Sequence, residues 1–196
     1  MEYVRLGNSD LNVSRICLGC MGFGDASIGQ HSWTIGEEPT REIIRRSLDL
    51  GVNFFDTAIA YQLGTSEQFV GRALKDMSRR EDVVVATKFL PRTEEEIANG
   101  INGRQHVMNS IDSSLQHLGM DYVDLYIYHI WDYKTPAEEI LEGMNEAVRA
   151  LDVRLTADDI RYLEEPYVPH NLSGVMAVNK PAMSEEPVWV TAAKNK

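Results

Sequence analysis

The sequence predicts an α/β fold built on a parallel sheet. Two observations carry that reading. Between residues 16 and 149, short apolar runs alternate with stretches of helical period in the order β-α-β-α-β-α-β-α. Strict alternation implies parallel strands joined by right-handed crossovers. Three consecutive apolar runs also end in ionisable residues, Asp56, Lys88 and His129. In any parallel sheet those ends lie on one side, where α/β folds place their chemistry. A doubly wound sheet and a (β/α)8 barrel both satisfy the pattern.

The elements follow in order. Residues 3–6 and 11–16 alternate around Gly7-Asn8-Ser9-Asp10, a hairpin signal. Ile16-Cys17-Leu18-Gly19 reads as a buried strand, and the Gly-rich, polar residues 20–38 read as a loop. Pro39-Thr40 opens a helix with Ile43, Ile44 and Leu48 on one face, stopped by Gly51. Strand 52–55 follows and delivers Asp56, with Tyr61 five residues further on. Ser66 is the expected N-cap of a second helix that turns Phe69, Val70, Ala73 and Leu74 inward. Val83 to Thr87 is the next apolar strand and ends in Lys88. Val107, Ile111, Leu115 and Leu118 recur at helical spacing, and Gly119 closes that helix. Tyr122 to Tyr128 is a strand ending in His129. Thr135-Pro136-Ala137-Glu138 then reads as a capping box for a helix whose apolar face is Ile140, Leu141, Met144 and Val148.

Composition narrows the class. The chain has 196 residues, 43% hydrophobic and 25% charged, which is ordinary for one globular domain with a sizeable core. A net charge of −11 argues against nucleic-acid and anionic-membrane partners, which call for a basic surface. No apolar run has the length of a transmembrane helix, and Met1-Glu2-Tyr3-Val4-Arg5 lacks the pattern of a signal peptide. The expected compartment is the cytosol. Cys17 and Cys20 are spaced C-x-x-C, but no second ligand pair accompanies them. They read as two reduced small residues at a strand end, and no metal site is expected.

The four polar residues suggest a chemistry. Tyr61, in the loop after its strand, leans over the side that Asp56, Lys88 and His129 share. A phenol is a poor acid near neutrality because its pKa is about 10. An ammonium beside it favours the phenolate. Lys88 is placed to supply that charge, Asp56 to hold it, and His129 to hydrogen-bond a substrate oxygen or relay a proton. Such an assembly donates a proton to a carbonyl oxygen. Proton donation there is useful when a hydride arrives at the carbon, which implies a nicotinamide cofactor. Taken singly, each residue has a plainer account: a surface lysine, a strand-end histidine, a loop aromatic. Together they favour the catalytic reading.

Leu18-Gly19-Cys20-Met21-Gly22-Phe23-Gly24, Gly51 to Ala58, Tyr61, Ala86-Thr87-Lys88 and Asp124 to His129 resemble the aldo-keto reductases. With the N-terminal hairpin, the resemblance runs unbroken from residue 1 to about residue 150. It implies a (β/α)8 TIM barrel and NADPH-dependent reduction of aldehydes or ketones to alcohols. It implies a catalytic tetrad at Asp56, Tyr61, Lys88 and His129. Tyr61 would be the general acid, Lys88 and Asp56 would tune it, and His129 would orient the carbonyl. It also implies cofactor contacts at Asp56, Met21 and Gly22. Residues 19–24 do not form a G-x-G-x-x-G fingerprint, so no Rossmann phosphate loop is expected there.

After Ala150 the sequence departs from the family. Leu151 to Thr156 resembles the end of the family's eighth barrel helix. Thr156 would cap a short helix carrying Ile160 and Leu163, and residues 164–170 resemble a C-terminal tail. The expected organisation is therefore residues 1–150 as the first half of the barrel and 151–196 as a C-terminal helix and tail, as after an internal deletion. The fold expected is a partial (β/α)8 barrel, an open sheet of strands 1–4. The family's nicotinamide and phosphate contacts after its later strands have no matching positions. Two expectations follow: little or no NADPH-dependent reduction by this chain alone, and self-association through open sheet edges. The alternative function is a non-catalytic remnant, or a binding or regulatory chain.

Overall fold

A computed structural model describes residues 1–149; the expected Thr156-capped helix and the tail lie outside them. The hairpin forms first: β1 (Tyr3–Arg5) pairs antiparallel with β2 (Asn12–Ser14). Asn53 fastens it to the amino end of the sheet. Its Oδ1 accepts from Ser14 N at 2.7 Å, and its Nδ2 donates to Asn12 O at 3.0 Å.

Four strands follow: β3 (Cys17–Gly19), β4 (Phe54–Asp56), β5 (Val84–Phe89) and β6 (Leu125–Tyr128). They lie in sequence order in one sheet, and every pairing is parallel. The helices are α1 (Glu37–Asp49), α2 (Thr65–Met77), α3 (Glu94–Ala98), α4 (Gly103–Leu118) and α5 (Ala137–Arg149). Sequence order in the sheet excludes a doubly wound topology, whose strand order reverses at a switch point. The fold is a partial (β/α)8 barrel.

Side chains alternate across a strand. Leu18, Phe55, Val85 and Tyr126 belong to one core with Ile44, Val70, Ala73, Leu74, Ile111 and Leu118 of the helices. The alternate set, including Cys17, Phe54, Ala86 and Leu125, lies on the opposite face, in register across the sheet. None of the helices among the described residues is long and apolar enough to cross a membrane.

Several local expectations need correction. β3 is not a buried strand: Cys17 and Gly19 are exposed, because β3 is an edge of the sheet. Ile43 is 40% exposed while Ile44 is fully buried. Ser66 does not cap α2; Gly64 precedes the helix, and Ser66 is buried in its first turn. Its Oγ donates to Cys20 O at 2.8 Å. Phe69 is only half-buried, with the Arg72 guanidinium 5.4 Å from its ring centre. Thr135 does not form the expected box with Glu138. Its backbone N–H and its Oγ1 both donate to Asp132, at 3.0 and 2.7 Å. Lys88 is not the last strand residue, since β5 runs to Phe89. The short helix α3 adds to the elements that the sequence predicts, and Thr93 and Glu96 form a complete capping box at its start. Gly119, by contrast, closes α4 in the left-handed conformation as the sequence suggests.

Gly71 sets how closely α2 and α4 approach. A Cβ there would lie 2.0 Å from Leu118 O, a backbone atom that cannot yield without moving α4. Removing a helical glycine gains at most about 1 kcal/mol, whereas overpacking a core costs about 1–3 kcal/mol or more, so the clash wins. Gly71→Ala is expected to lower the urea unfolding midpoint by an amount equivalent to about 1–2 kcal/mol. An unchanged or raised midpoint would show that the helices can part freely.

Candidate active site

The carboxyl ends of β3 to β6 form one mouth. β4 and β5 stay hydrogen-bonded beyond Asp56, through Thr57 N to Ala86 O at 2.9 Å and Ile59 N to Lys88 O at 3.1 Å. That continuation brings the Lys88 side chain under the segment carrying Tyr61. Lys88 Nζ donates to Asp56 Oδ2 at 2.8 Å, to Thr57 O at 2.8 Å and to Tyr61 OH at 3.2 Å. An ammonium has three protons, and here each has an acceptor. The Lys88 side chain is 11% exposed, so the charge is largely removed from water. Only its carboxylate partner and full hydrogen bonding make that tolerable.

His129 completes the group. Its backbone N–H donates to Phe89 O at 2.9 Å. Its ring stands edge-on to Tyr61, with centroids 5.7 Å apart. Nδ1 is buried and has no partner among the described residues. Burial, then the Lys88 ammonium, pushes the imidazole pKa below its ordinary value, with the Asp56 carboxylate acting the other way. A neutral imidazole keeps one ring N–H to donate and one nitrogen to accept.

Met21 and Gly22 follow β3 on the same mouth and are half-buried. Their loop starts where Cys20 N donates to Asp56 O at 2.8 Å, and Gly22 O accepts from Ile35 N at 2.9 Å. They border Asp56 in the fold, but no polar side chain comes with them. The described residues therefore place an apolar backbone segment beside Asp56 and the Lys88–Tyr61 contact. Cys17 and Cys20 are free thiols, the first exposed and the second buried. Among the described residues, no group of three His, Cys, Asp or Glu is placed to hold a metal ion.

Two supporting residues, Gln62 and Glu67, carry no signal in the sequence. Gln62 and Leu63, next to Tyr61, adopt left-handed backbone conformations with φ of 48° and 52°. Such conformations cost on the order of 1–3 kcal/mol each and persist only where surroundings enforce them. Gln62 is fully buried, and its amide spans the loop before α1. Oε1 accepts from Gln30 N and His31 N at 3.1 and 2.9 Å, and Nε2 lies within reach of Asp25 O, Ile28 O and His31 O. The turn carrying Tyr61 is thereby tied to residues 25–31. Glu67 is buried at 0% exposure. It accepts from Thr87 Oγ1 at 2.6 Å and pairs with His117 Nδ1 at 2.8 Å, linking β5 beside Lys88 to α2 and α4.

A parallel βα sheet in sequence order, with a lysine, aspartate, tyrosine and histidine clustered at its carboxyl mouth, defines the first part of a (β/α)8 barrel. The family model described as "Aldo/keto reductase family" matches residues 15–165. The chain belongs to the aldo/keto reductase family. The versiconal hemiacetal acetate reductase of Aspergillus parasiticus is 34% identical over 168 residues, covering 76% of this chain and 48% of that protein. The aldo-keto reductase YhdN of Bacillus subtilis is 36% identical over 156 residues, covering 79% and 45%. Among solved structures, the thermostable aldo-keto reductase Tm1743 superposes with a TM-score of 0.64 at 31% identity, covering 76% of this chain and 50% of its own. The chain spans about half the length of the curated relatives it matches.

The displaced pKa of His129 has a checkable consequence. An NMR titration of the ring is expected to give a midpoint below the ordinary value of about 6.5. Because the unfolded chain then binds the proton more readily, His129 contributes stability above pH about 6.5 that is lost as pH falls through its folded midpoint. A midpoint above 6.5 would contradict the geometry, since it would require a partner for the charged ring.

Proposed function

We propose that the chain carries the proton-donating half of an NADPH-dependent carbonyl reductase acting on aldehydes or ketones in the cytosol. The observation behind this reading is the threefold contact of Lys88 Nζ with Asp56 Oδ2, Thr57 O and Tyr61 OH. Tyr61 donates its phenolic proton to the carbonyl oxygen. Lys88 stabilises the phenolate that remains, and Asp56 holds Lys88 charged and in place. His129, uncharged, directs the carbonyl oxygen by hydrogen bonding. Asp56, Met21 and Gly22 would border bound NADPH, which would supply the hydride. The name of a Schizosaccharomyces pombe relative, 34% identical, specifies NADP(+), which supports that cofactor.

The magnitudes say how far this half can act alone. General acid catalysis contributes about 10²–10⁴ in rate. Holding the reactants in place can be worth about 7–11 kcal/mol, more than the proton donor supplies. Much of that positioning would come from a wall that the described residues do not contain, so the chain by itself should reduce carbonyls slowly or not at all. A second reading is a regulatory chain. What supports it is a rice relative, 35% identical, that is named a probable voltage-gated potassium channel subunit beta.

A chimera tests the first reading. Residues 1–149 would be joined to the second half of the barrel of the Bacillus subtilis relative. The chimera is expected to oxidise NADPH with 4-nitrobenzaldehyde, and Tyr61→Phe to cut the rate by about 10²–10⁴. A chimera that binds NADPH but whose rate survives Tyr61→Phe would overturn the assignment. NADPH titration of the chain itself, followed by quenching of Trp33 and Trp131, separates the second reading: no quenching at millimolar cofactor favours it.

A further inference from the structure

Lys88 and Tyr61 reach each other from separate pieces of backbone, β5 and the turn after β4. At 3.2 Å their contact is the longest of the three that Lys88 Nζ makes, so it depends most on where each piece is held. The Tyr61 turn passes through three successive left-handed residues, Gln62, Leu63 and Gly64, with φ of 48°, 52° and 85°. Gln62 fastens one end of it to residues 25–31. The other end rests on α4. A Cβ on Gly64 would lie 2.4 Å from Cε1 and 2.6 Å from Nδ1 of His117, so the imidazole lies directly against the glycine backbone.

That same Nδ1 is 2.8 Å from Glu67 Oε2, and Glu67 Oε1 accepts from Thr87 Oγ1 at 2.6 Å. Ring, carboxylate and hydroxyl thus run from the end of the Tyr61 turn to the residue before Lys88. Ser66, next to Glu67, holds the other strand. Its Oγ is 3.1 Å from Thr57 Oγ1, and Thr57 O is one of the three acceptors of Lys88. The first turn of α2 therefore grips β5 and the continuation of β4 at adjacent residues. Ser66, Glu67, Thr57 and Thr87 are all fully buried. Burying a carboxylate is costly where a leucine in its place would not be. What the carboxylate adds is direction, through two hydrogen bonds of defined geometry.

We propose that Glu67 and His117 are positioning residues of the mouth: by tying Thr87 to Gly64 they fix the separation of Lys88 Nζ and Tyr61 OH. They act from the helix side of the sheet, while Lys88 and Tyr61 face the mouth. Releasing Thr87 lets β5 shift, and Lys88 moves with it, because neighbouring side chains on a strand share one backbone and point to opposite faces. Removing the ring beneath Gly64 lets the costly left-handed turn relax. Either change lengthens the contact between ammonium and phenol. The clamp itself is a property of the fold; its effect on carbonyl reduction rests on the function proposed above.

Thr87→Val removes the hydroxyl with little change of shape, Thr87→Ser restores it, and Glu67→Leu and His117→Ala remove the other two links. In the 196-residue chain, the nitrogen-15 signal of the Lys88 ammonium reports the contact whether or not the chain reduces anything. The signal is expected to shift or broaden in Thr87→Val, Glu67→Leu and His117→Ala, and to return in Thr87→Ser. Thr87→Val carries the test if Glu67→Leu fails to fold. In the chimera, Thr87→Val is expected to lower kcat by about ten- to a hundredfold with the KM for NADPH unchanged. A signal that Thr87→Val leaves in place would overturn the proposal, as would a Thr87→Ser that behaves like the valine variant, since either means that the side chain only fills space. A parent chain without a slowly exchanging ammonium overturns it too, as does a shifted signal with unchanged kcat in a chimera that Tyr61→Phe silences. Failure of the catalytic reading shows separately: the Lys88 signal responds to the variants as expected, while the chimera's rate survives Tyr61→Phe.

Discussion

The site depends on one buried ammonium. Lys88 meets three oxygens from three positions: a strand-end carboxylate, a backbone carbonyl one residue later, and a phenol beyond the turn. Each is available only because β4 and β5 are parallel neighbours whose pairing continues past Asp56. A register slip of one residue would turn Lys88 to the helix side of the sheet and Phe89 to the mouth. Much of the surrounding structure resists such a slip. Thr87, the residue before Lys88, is anchored to Glu67 on α2, and Glu67 in turn to His117 on α4. The Tyr61 turn is held in an otherwise costly conformation by the Gln62 amide. Leaving a buried ammonium without its carboxylate would cost several kcal/mol, so the pair also constrains the mouth.

On the proposed reading, the proton donor Tyr61, its charge partner Lys88 and the neutral imidazole of His129 would all come from β4, β5 and β6 and the loops after them. Met21 and Gly22 would then provide backbone and an apolar surface beside the cofactor, with no cationic side chain of their own for a phosphate. Most of the cofactor's positioning would come from outside the described residues.

Much of this was legible in the sequence because it follows from period and punctuation. The run Asn53 to Asp56 and the run Val83 to Lys88 are short, apolar and closed by a charge, and those charges meet at one mouth. Gly119 at the end of α4 needed only the left-handed preference of glycine. What was not legible depends on contacts distant in sequence. Ser66 has the composition of a cap, yet Cys20 O and Thr57 lie above it and draw it into the core. Glu67 sits in a helix where a glutamate ordinarily faces water, and only the approach of Thr87 and His117 makes it a core residue. Gln62 carries no local sign of a left-handed turn; its conformation is set by the loop at residues 25–31. Ile16 to Gly19 is apolar enough for a central strand, and its exposure follows from its lying at the sheet edge.

The strands β3 to β6 with their loops assemble the Lys88 contact by themselves. Nitrogen-15 NMR of the lysine ammonium groups tests it most directly. A buried ammonium bound to three oxygens exchanges its protons slowly and gives a resolved Nζ–H signal. The account predicts one such signal, absent in Lys88→Arg and displaced in both Asp56→Asn and Tyr61→Phe. No slowly exchanging ammonium, or one that neither substitution moves, would contradict it.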